Sequence, residues 1–210
     1  MQKLYAGIAV AAVAALVGGS LYYVQSRQAD DPFAACRAGA VGGGTIGGPF
    51  TLVNGEGKTV TDADVITKPS IVYFGYTFCP DVCPMDNARN AAAIDLLDEK
   101  GVDVQPVFIS IDPTRDTPEV VKDFAANLHP KMIGLTGSPE QVKAASQAYK
   151  TYYKAQNPEQ EFYLVDHSTF SYLVLPKLGF MEFYKRETTP EEMAANVACY
   201  VDAASDRAAN

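Results

Sequence analysis

The feature that most restricts the fold is a strand-to-helix turn flanked by two thiols. The apolar run Ser70-Ile71-Val72-Tyr73-Phe74-Gly75-Tyr76 leads into Cys79-Pro80-Asp81-Val82-Cys83-Pro84, and the chain has only two other cysteines. A residue before proline is driven out of the α region toward extended geometry. That argues against a helix running through both cysteines, although their spacing would set them one turn apart. Pro84 is expected as the first helical residue, where its missing N–H costs nothing. Cys83 then falls near the N-cap, and Cys79 on a stiff loop before it. The positive end of a helix lowers a thiol's pKa and favours the thiolate, the form that attacks disulfides and ligates metals. A plain disulfide or two inert buried thiols are the alternatives. Placement of both residues before proline at such a turn disfavours them.

The rest of the pattern builds a layered sheet around this turn. Alternating side chains on either side of Asn54-Gly55-Glu56-Gly57 predict a β-hairpin over 50–61. A helix is expected over about 84–99, with Ala92, Ile94 and Leu97 on its buried face, and then a strongly apolar strand over 104–111. Thr117-Pro118 and Ser138-Pro139 each read as an N-cap followed by proline in the first turn. These start helices to about 127 and 152, with a short strand over 132–136 between them. Strands near 161–165 and 172–175 flank Asp166-His167-Ser168, a further strand covers 180–184, and Thr189-Pro190-Glu191-Glu192 is a capping box for a last helix carrying Cys199. Strands alternating with helices and closed by a hairpin predict an α/β fold with a mixed sheet. A redox-type loop after the first core strand of such a sheet is the plan of a thioredoxin-like domain.

A third ligand is available. The chain has two histidines, His129 and His167. His129 ends a predicted helix, where an imidazolium meets the carbonyl end of the helix dipole, and needs no other role. His167 lies on a loop between two late strands, where a thioredoxin-like sheet brings a loop against the cysteine turn. With Cys79 and Cys83 it makes two thiolates and one imidazole, a set suited to copper or zinc. A structural zinc site is usually closed by four protein ligands, and only three good candidates are present. Soft thiolates select Cu(I) and an imidazole makes Cu(II) tolerable, so copper is the expected ion, with zinc as the alternative. The same two thiols could also close a disulfide, which would make their oxidation state a control point.

The N-terminal part is expected to be a membrane anchor. Residues 4–24 form an uncharged stretch of 21 residues, which as a helix spans roughly 30 Å, the thickness of a bilayer core. A cleaved signal peptide would have a shorter apolar region and a small-residue cleavage site. Lys3 precedes the stretch, while Arg27 after it is outnumbered by Asp30 and Asp31. The positive-inside rule then leaves the domain outside, in a bacterial periplasm. The expected division is an anchor over 1–25, a glycine-rich tether over 26–48 and the thioredoxin-like domain over 49–204. A formal net charge of -8 argues against a nucleic-acid binder, which would show a basic face.

Three segments carry a resemblance to a known family. They are 75–84 (GYTFCPDVCP), 110–118 (SIDPTRDTP) and 165–168 (VDHS). In this order they resemble the Sco/SenC family of copper chaperones for cytochrome c oxidase, and the likeness covers about 49–201. The resemblance implies that Cys79, Cys83 and His167 bind copper, as Cu(I), Cu(II) or both. It implies delivery to, or redox preparation of, the dinuclear copper centre of cytochrome c oxidase subunit II. Asp112 and Asp116 would belong to a family loop near the site, with structural support as their expected role. Asp166 is a candidate to orient His167 as an outer partner, although adjacent side chains on a strand point oppositely. In an oxidising compartment the even cysteine count favours a Cys36–Cys199 disulfide stapling tether to domain.

Competing functions share the same thiols. An ordinary thioredoxin-type oxidoreductase is disfavoured by Cys-x-x-x-Cys spacing and by the absence of proline in His167-Ser168-Thr169-Phe170-Ser171. A peroxiredoxin would place its threonine three residues before the cysteine, whereas Thr77 is two before Cys79. A reductase acting on the copper-site cysteines of subunit II uses the same chemistry as metal transfer. A copper or redox sensor is also compatible with a reversible site. The expected class is a metallochaperone rather than an enzyme.

Overall fold

A computed structural model describes Tyr5 and residues 12–23, 31–37 and 46–209. The chain divides into a large unit, 40–201, and a small one made of 1–39 and 202–210.

The large unit is built on a seven-stranded sheet of order β2-β1-β5-β4-β3-β8-β9. Its strands are β1 (Thr51–Asn54), β2 (Thr59–Thr61), β3 (Ser70–Gly75), β4 (Gln105–Ser110), β5 (Ile133–Thr136), β8 (Ser171–Leu175) and β9 (Gly179–Tyr184). A separate two-stranded ribbon pairs β6 (Tyr153–Ala155) with β7 (Val165–His167). The helices are α1 (Asp62–Val65), α2 (Val82–Glu99), α3 (Pro118–Leu128), α4 (Pro139–Ala148) and α5 (Pro190–Ala209).

Strands β3, β4 and β5 are parallel, and β1 and β8 flank them antiparallel. The mixed sheet expected from the sequence is therefore present, with the N-terminal hairpin on its edge. Every residue of β3, β4 and β8 is buried, the pattern of strands covered on both faces. Val72, Phe74, Phe108, Ile109 and Leu135 share one core cluster with Val121 and Ala125 of α3 and Val142 and Ala145 of α4. Helix α3 lies so close to β5 that a Cβ on Gly134 would clash with the Val121 carbonyl oxygen.

The cap chemistry follows the sequence. Thr117 accepts from the Val120 amide, Ser138 and Gln141 form a capping box, and Thr189 and Glu192 exchange bonds of 3.0 and 3.2 Å. Helix α2 differs from its expected start. It begins at Val82 after Asp81, so Cys83 is its second residue and Pro84 its third. The first four amides of a helix lack intrahelical acceptors, so proline fits there as well as at the first position. On α2 the buried apolar face holds Ala91, Ala93, Ile94 and Leu97, with Ala92 only partly covered. Helix α4 ends at Ala148 rather than near 152, and Lys150 takes the left-handed conformation (φ 54) that turns the chain into β6. Strand β6, three residues long, was not expected from the sequence.

Within the small unit, Tyr5 and residues 12–23 are helical, and a turn spans 32–36. Asp31 accepts from the Phe33 amide at 3.0 Å and pairs with Arg37 at 2.9 Å. Among the described residues no helix is long and apolar enough to cross a membrane. Part of the expected 4–24 span, and most of the expected tether, lies outside the described residues. Cys36 and Cys199 are both disulfide-bonded.

Candidate metal centre

The cysteine turn grows out of the middle of the sheet. Strand β3 pairs with β4 on one side and β8 on the other, and after Gly75 the chain leaves it. Cys79 donates its amide to the Tyr76 carbonyl at 3.3 Å. The Cys83 amide, one of the orphan donors of α2, points at Cys79 Sγ at 3.3 Å. Cys79 sulfur thus takes the place that an N-cap oxygen usually fills. Asn87 donates to the Cys83 carbonyl at 2.8 Å and fixes the first turn. Both thiols are free and buried. Gly75 makes room for one of them: a Cβ there would meet Cys83 Sγ at 2.9 Å.

The two thiols are electrostatically unequal. A hydrogen bond from the Cys83 thiol, the Asp81 and Cys83 amides and His167 together pull the Cys79 pKa down to about 4 against the opposing effect of burial. Its partner bears the cost. The bond to Cys79 and burial push the Cys83 thiol well above its ordinary range. These opposite shifts favour the thiolate form at Cys79 and the protonated form at Cys83.

His167 closes the site from the ribbon. Its Nε2 lies 3.3 Å from Cys83 Sγ, and its Nδ1 is 2.8 Å from the Ser168 carbonyl oxygen. A carbonyl can only accept, so Nδ1 donates to it, and Nε2 is the ring nitrogen turned toward the thiols. The ring is held edge-on by Tyr76 (centroids 5.8 Å apart) and Tyr73 (6.3 Å). Ligand atoms of Cys79, Cys83 and His167 all lie within 4.8 Å of one another. Two donors on one ion, each about 2.3 Å away, span at most about 4.6 Å. The donor set suits one soft ion, which all three groups could reach with a slight closing of the site, and two free thiols this near one another can also be joined as a disulfide.

The other expected residues are placed as follows. Asp116 is buried and supports the cysteine turn: it accepts from the Thr77 amide at 3.0 Å, the Thr77 hydroxyl at 2.5 Å and Ser110 at 2.5 Å. Burial raises its pKa despite those bonds. Asp112 pairs with Arg115 Nε at 2.5 Å and accepts from the Tyr163 hydroxyl at 2.7 Å. Asp166 faces away from the site and accepts from Gln156 at 2.7 Å. The alternation of a strand turns it to the opposite side from His167, and the Ser168 carbonyl fills the role considered for it. His129 lies elsewhere, with Nε2 3.3 Å from Asp95 and Nδ1 accepting from the Lys131 amide at 3.1 Å.

Sequence reasoning missed Tyr73, Tyr76, Arg115 and Tyr163 as parts of the site. Tyr76 and Arg115 stood inside the motif segments, but nothing local marked Tyr163, which precedes a three-residue strand. A cavity of about 610 Å³ lined by Gly48, Asp62, Tyr149 and Phe180 contains none of the three ligands.

Comparison with known proteins agrees with the geometry. Residues 39–202 match the SCO1/SenC family model. Protein SenC of Rhodobacter capsulatus is 56% identical over 203 residues, covering 96% of this chain and 92% of that protein. Among solved structures, Arabidopsis thaliana ScoI with copper bound superposes with a TM-score of 0.70 at 44% identity, over 75% of this chain and 99% of the other. Yeast Sco1 with copper bound does so at 0.70 and 34%, over 80% and 96%. A thioredoxin-like sheet that brings Cys79, Cys83 and His167 to one point, together with a family match running through both its ends, makes this chain a member of the SCO1/SenC family.

Proposed function

We propose that this protein is a copper chaperone that carries one copper ion on Cys79, Cys83 and His167. It delivers the ion to, or prepares, the dinuclear copper site of cytochrome c oxidase subunit II. The observation that carries this reading is the convergence of two thiols and the His167 imidazole, with ligand atoms within 4.8 Å of one another. Three ligands from protein leave the ion open on one side, as cargo requires, and thiolates plus imidazole serve both Cu(I) and Cu(II). Phe78, Met85 and Phe170, each within three residues of a ligand in the chain, keep large apolar surface exposed, which a protein recipient can cover during transfer. Residues 4–24 carry no charge and 12–23 are helical. We place this segment in a bacterial inner membrane, with the domain in the periplasm.

The test is transfer from the copper-loaded protein to a metal-free fragment of subunit II containing its copper site. Formation of the dinuclear copper spectrum in the fragment is the expected result, and it is lost with His167→Ala or either cysteine replaced. A fragment that stays empty beside a fully loaded donor would rule the delivery reading out. A second reading, reduction of the fragment's own cysteines, is favoured by the thiolate held at Cys79 with its pKa near 4. It predicts that copper-free protein converts an oxidised fragment to its dithiol while Cys79 and Cys83 become a disulfide. Two electrons and two protons pass from the Cys79–Cys83 dithiol to the fragment's disulfide, through a mixed disulfide.

A further inference from the structure

The ribbon that carries His167 belongs to a different sheet from the strand that carries the cysteine turn. Something other than a strand ladder must set the imidazole against the thiols. Beyond the Cys83 sulfur and the Tyr73 and Tyr76 edges that meet the His167 ring itself, a group of described contacts across this gap centres on Arg115. Its Nε is bound by Asp112 at 2.5 Å and its Nη1 donates to the Tyr163 carbonyl at 2.9 Å. Its guanidinium carbon lies 3.6 Å from the centre of the Tyr163 ring, 4.9 Å from that of Phe78 and 5.7 Å from that of Tyr76. The Tyr163 hydroxyl then returns to Asp112 at 2.7 Å. The buried Nη2 has no acceptor; the cation is held there by ring faces instead.

Each ring in this stack belongs to a segment that matters for metal. Tyr163 leads directly into β7 and His167. Phe78 and Tyr76 precede Cys79, and Tyr76 also holds the His167 ring edge-on. Asp112 and Arg115 lie on the loop whose Asp116 clamps Thr77. We propose that Arg115 is a positioning residue for the third ligand, clamping the His167 ribbon onto the cysteine turn. Arg115 touches neither the ion nor its donors. It sets where Nε2 sits relative to two thiols that the main sheet already fixes.

This inference rests on copper binding at Cys79, Cys83 and His167, and its signature is selectivity between oxidation states. Two thiolates suffice for Cu(I), whereas Cu(II) depends on the imidazole. The experiment uses the reduced full chain, titrated separately with Cu(I) and Cu(II) ions, with His167→Ala as the benchmark. For Arg115→Gln the expected result is a Cu(II) affinity about 10- to 100-fold weaker, the range for loss of an outer partner. Its sulfur-to-copper absorption should shift toward that of His167→Ala, while Cu(I) binding stays at the wild-type level. In metal-free protein, amide exchange over 163–168 should quicken while that of β3 does not. Arg115→Lys should behave like Arg115→Gln, because an ammonium cannot stack and fork at once. Tyr163→Ala removes the clamp from the ribbon side and serves if the Arg115 variants do not fold.

Wild-type Cu(II) affinity and spectrum in Arg115→Gln, or in Tyr163→Ala where the former does not fold, would overturn the proposal. So would full rescue by lysine, which would show that charge alone is required. Equal weakening of both copper states would make the role purely structural and overturn it too. A wild-type protein whose Cu(II) spectrum is indifferent to His167 would instead remove the copper reading itself, and the clamp with it.

Discussion

Cys79 and Cys83 stand on a turn between β3 and α2, rooted in the centre of the seven-stranded sheet, whereas His167 stands on a two-stranded ladder outside that sheet. The cysteine turn is set largely by main-chain structure. Strand β3 is locked in register with β4 along its whole length, from Ser70–Gln105 to Gly75–Ser110. The Cys83 amide is tied to Cys79 sulfur. His167 is held by side chains: two tyrosine edges, a carbonyl one residue on, and the Arg115 stack two strands away in sequence. One half of the site is tied into the main ladder, and the other is held by aromatic and polar contacts between side chains. A carrier that must grip an ion and then release it benefits from that division.

The largest effect that tests this division is loss of a thiol. Cys83→Ser should abolish Cu(I) and Cu(II) binding together, by more than the roughly 10–100-fold typical of outer partners, while His167→Ala should spare Cu(I). Equilibrium competition with a copper chelator measures both. If His167→Ala weakened the two states equally, the idea of a permanent thiolate half and a detachable imidazole half would be wrong.

Crowding the rigid half comes next. In Gly75→Ala the new methyl meets Cys83 Sγ and the Tyr73 ring, both at 2.9 Å. Gly75 is held in register with Ser110 of β4, so the sulfur and the ring must give way. A loss of about 1–3 kcal/mol is expected, the usual cost of overpacking, with weaker binding of both copper states. Chemical denaturation and the same competition assay report it; an unperturbed site would mean that the turn is softer than its ladder implies.

The inequality of the thiols gives a pH test of the same half. A depressed thiol pKa means that the thiolate is present above it and lost below it. Reduced, metal-free protein should therefore show an ultraviolet thiolate band at neutral pH that disappears as the pH falls through about 4. An unperturbed thiol would show the band only near pH 8.5 and above. Cys79→Ser should remove the neutral-pH band. Its survival in that variant would assign the thiolate to Cys83 and reverse the electrostatic reading.

How far these two halves could be read in the sequence differs in the same way. The cysteine turn was legible because its signals are local: a strand-length apolar run, two cysteines each before proline, and a periodic helix after them. Even there the start of α2 lies two residues earlier than the pre-proline rule predicts, because the first four helical amides are vacant and tolerate a proline at the third position. Thr117, Ser138 and Thr189 announced their helices for the same local reason. The ribbon was not legible. Three-residue strands such as Tyr153–Ala155 carry no period, and Tyr163 gains its place only through contacts with Asp112 and Arg115, about 50 residues earlier in the chain. His167 was found by elimination among two histidines and by family resemblance. Asp166 is next to His167 in sequence, and the alternation of a strand, itself legible there, argues that the two point apart.

A smaller effect separates the two histidines. His129 is buried at the end of α3, accepts from the Lys131 amide and meets Asp95. His129→Gln should cost about 1–2 kcal/mol, the range for a disturbed buried hydrogen bond, and leave both copper affinities unchanged. Thermal unfolding reads the first and metal titration the second. Any loss of copper binding at unchanged stability would tie His129 to the site and remove its purely structural assignment.

The smallest expected effect is at Asp166. Its carboxylate bonds Gln156 across the exposed side of the ribbon, and solvent-exposed substitutions of this kind usually stay within about 0.5 kcal/mol. The His167 tautomer is set by the Ser168 carbonyl, which no side-chain replacement removes. Asp166→Ala should therefore change neither stability nor the Cu(II) spectrum, even though it stands next to a ligand. A carboxylate that oriented the imidazole would behave differently, and its removal would weaken Cu(II) binding by an order of magnitude or more. A wild-type spectrum in Asp166→Ala beside an altered one in Arg115→Gln would locate control of the imidazole in the clamp across the gap, not in its neighbour along the strand.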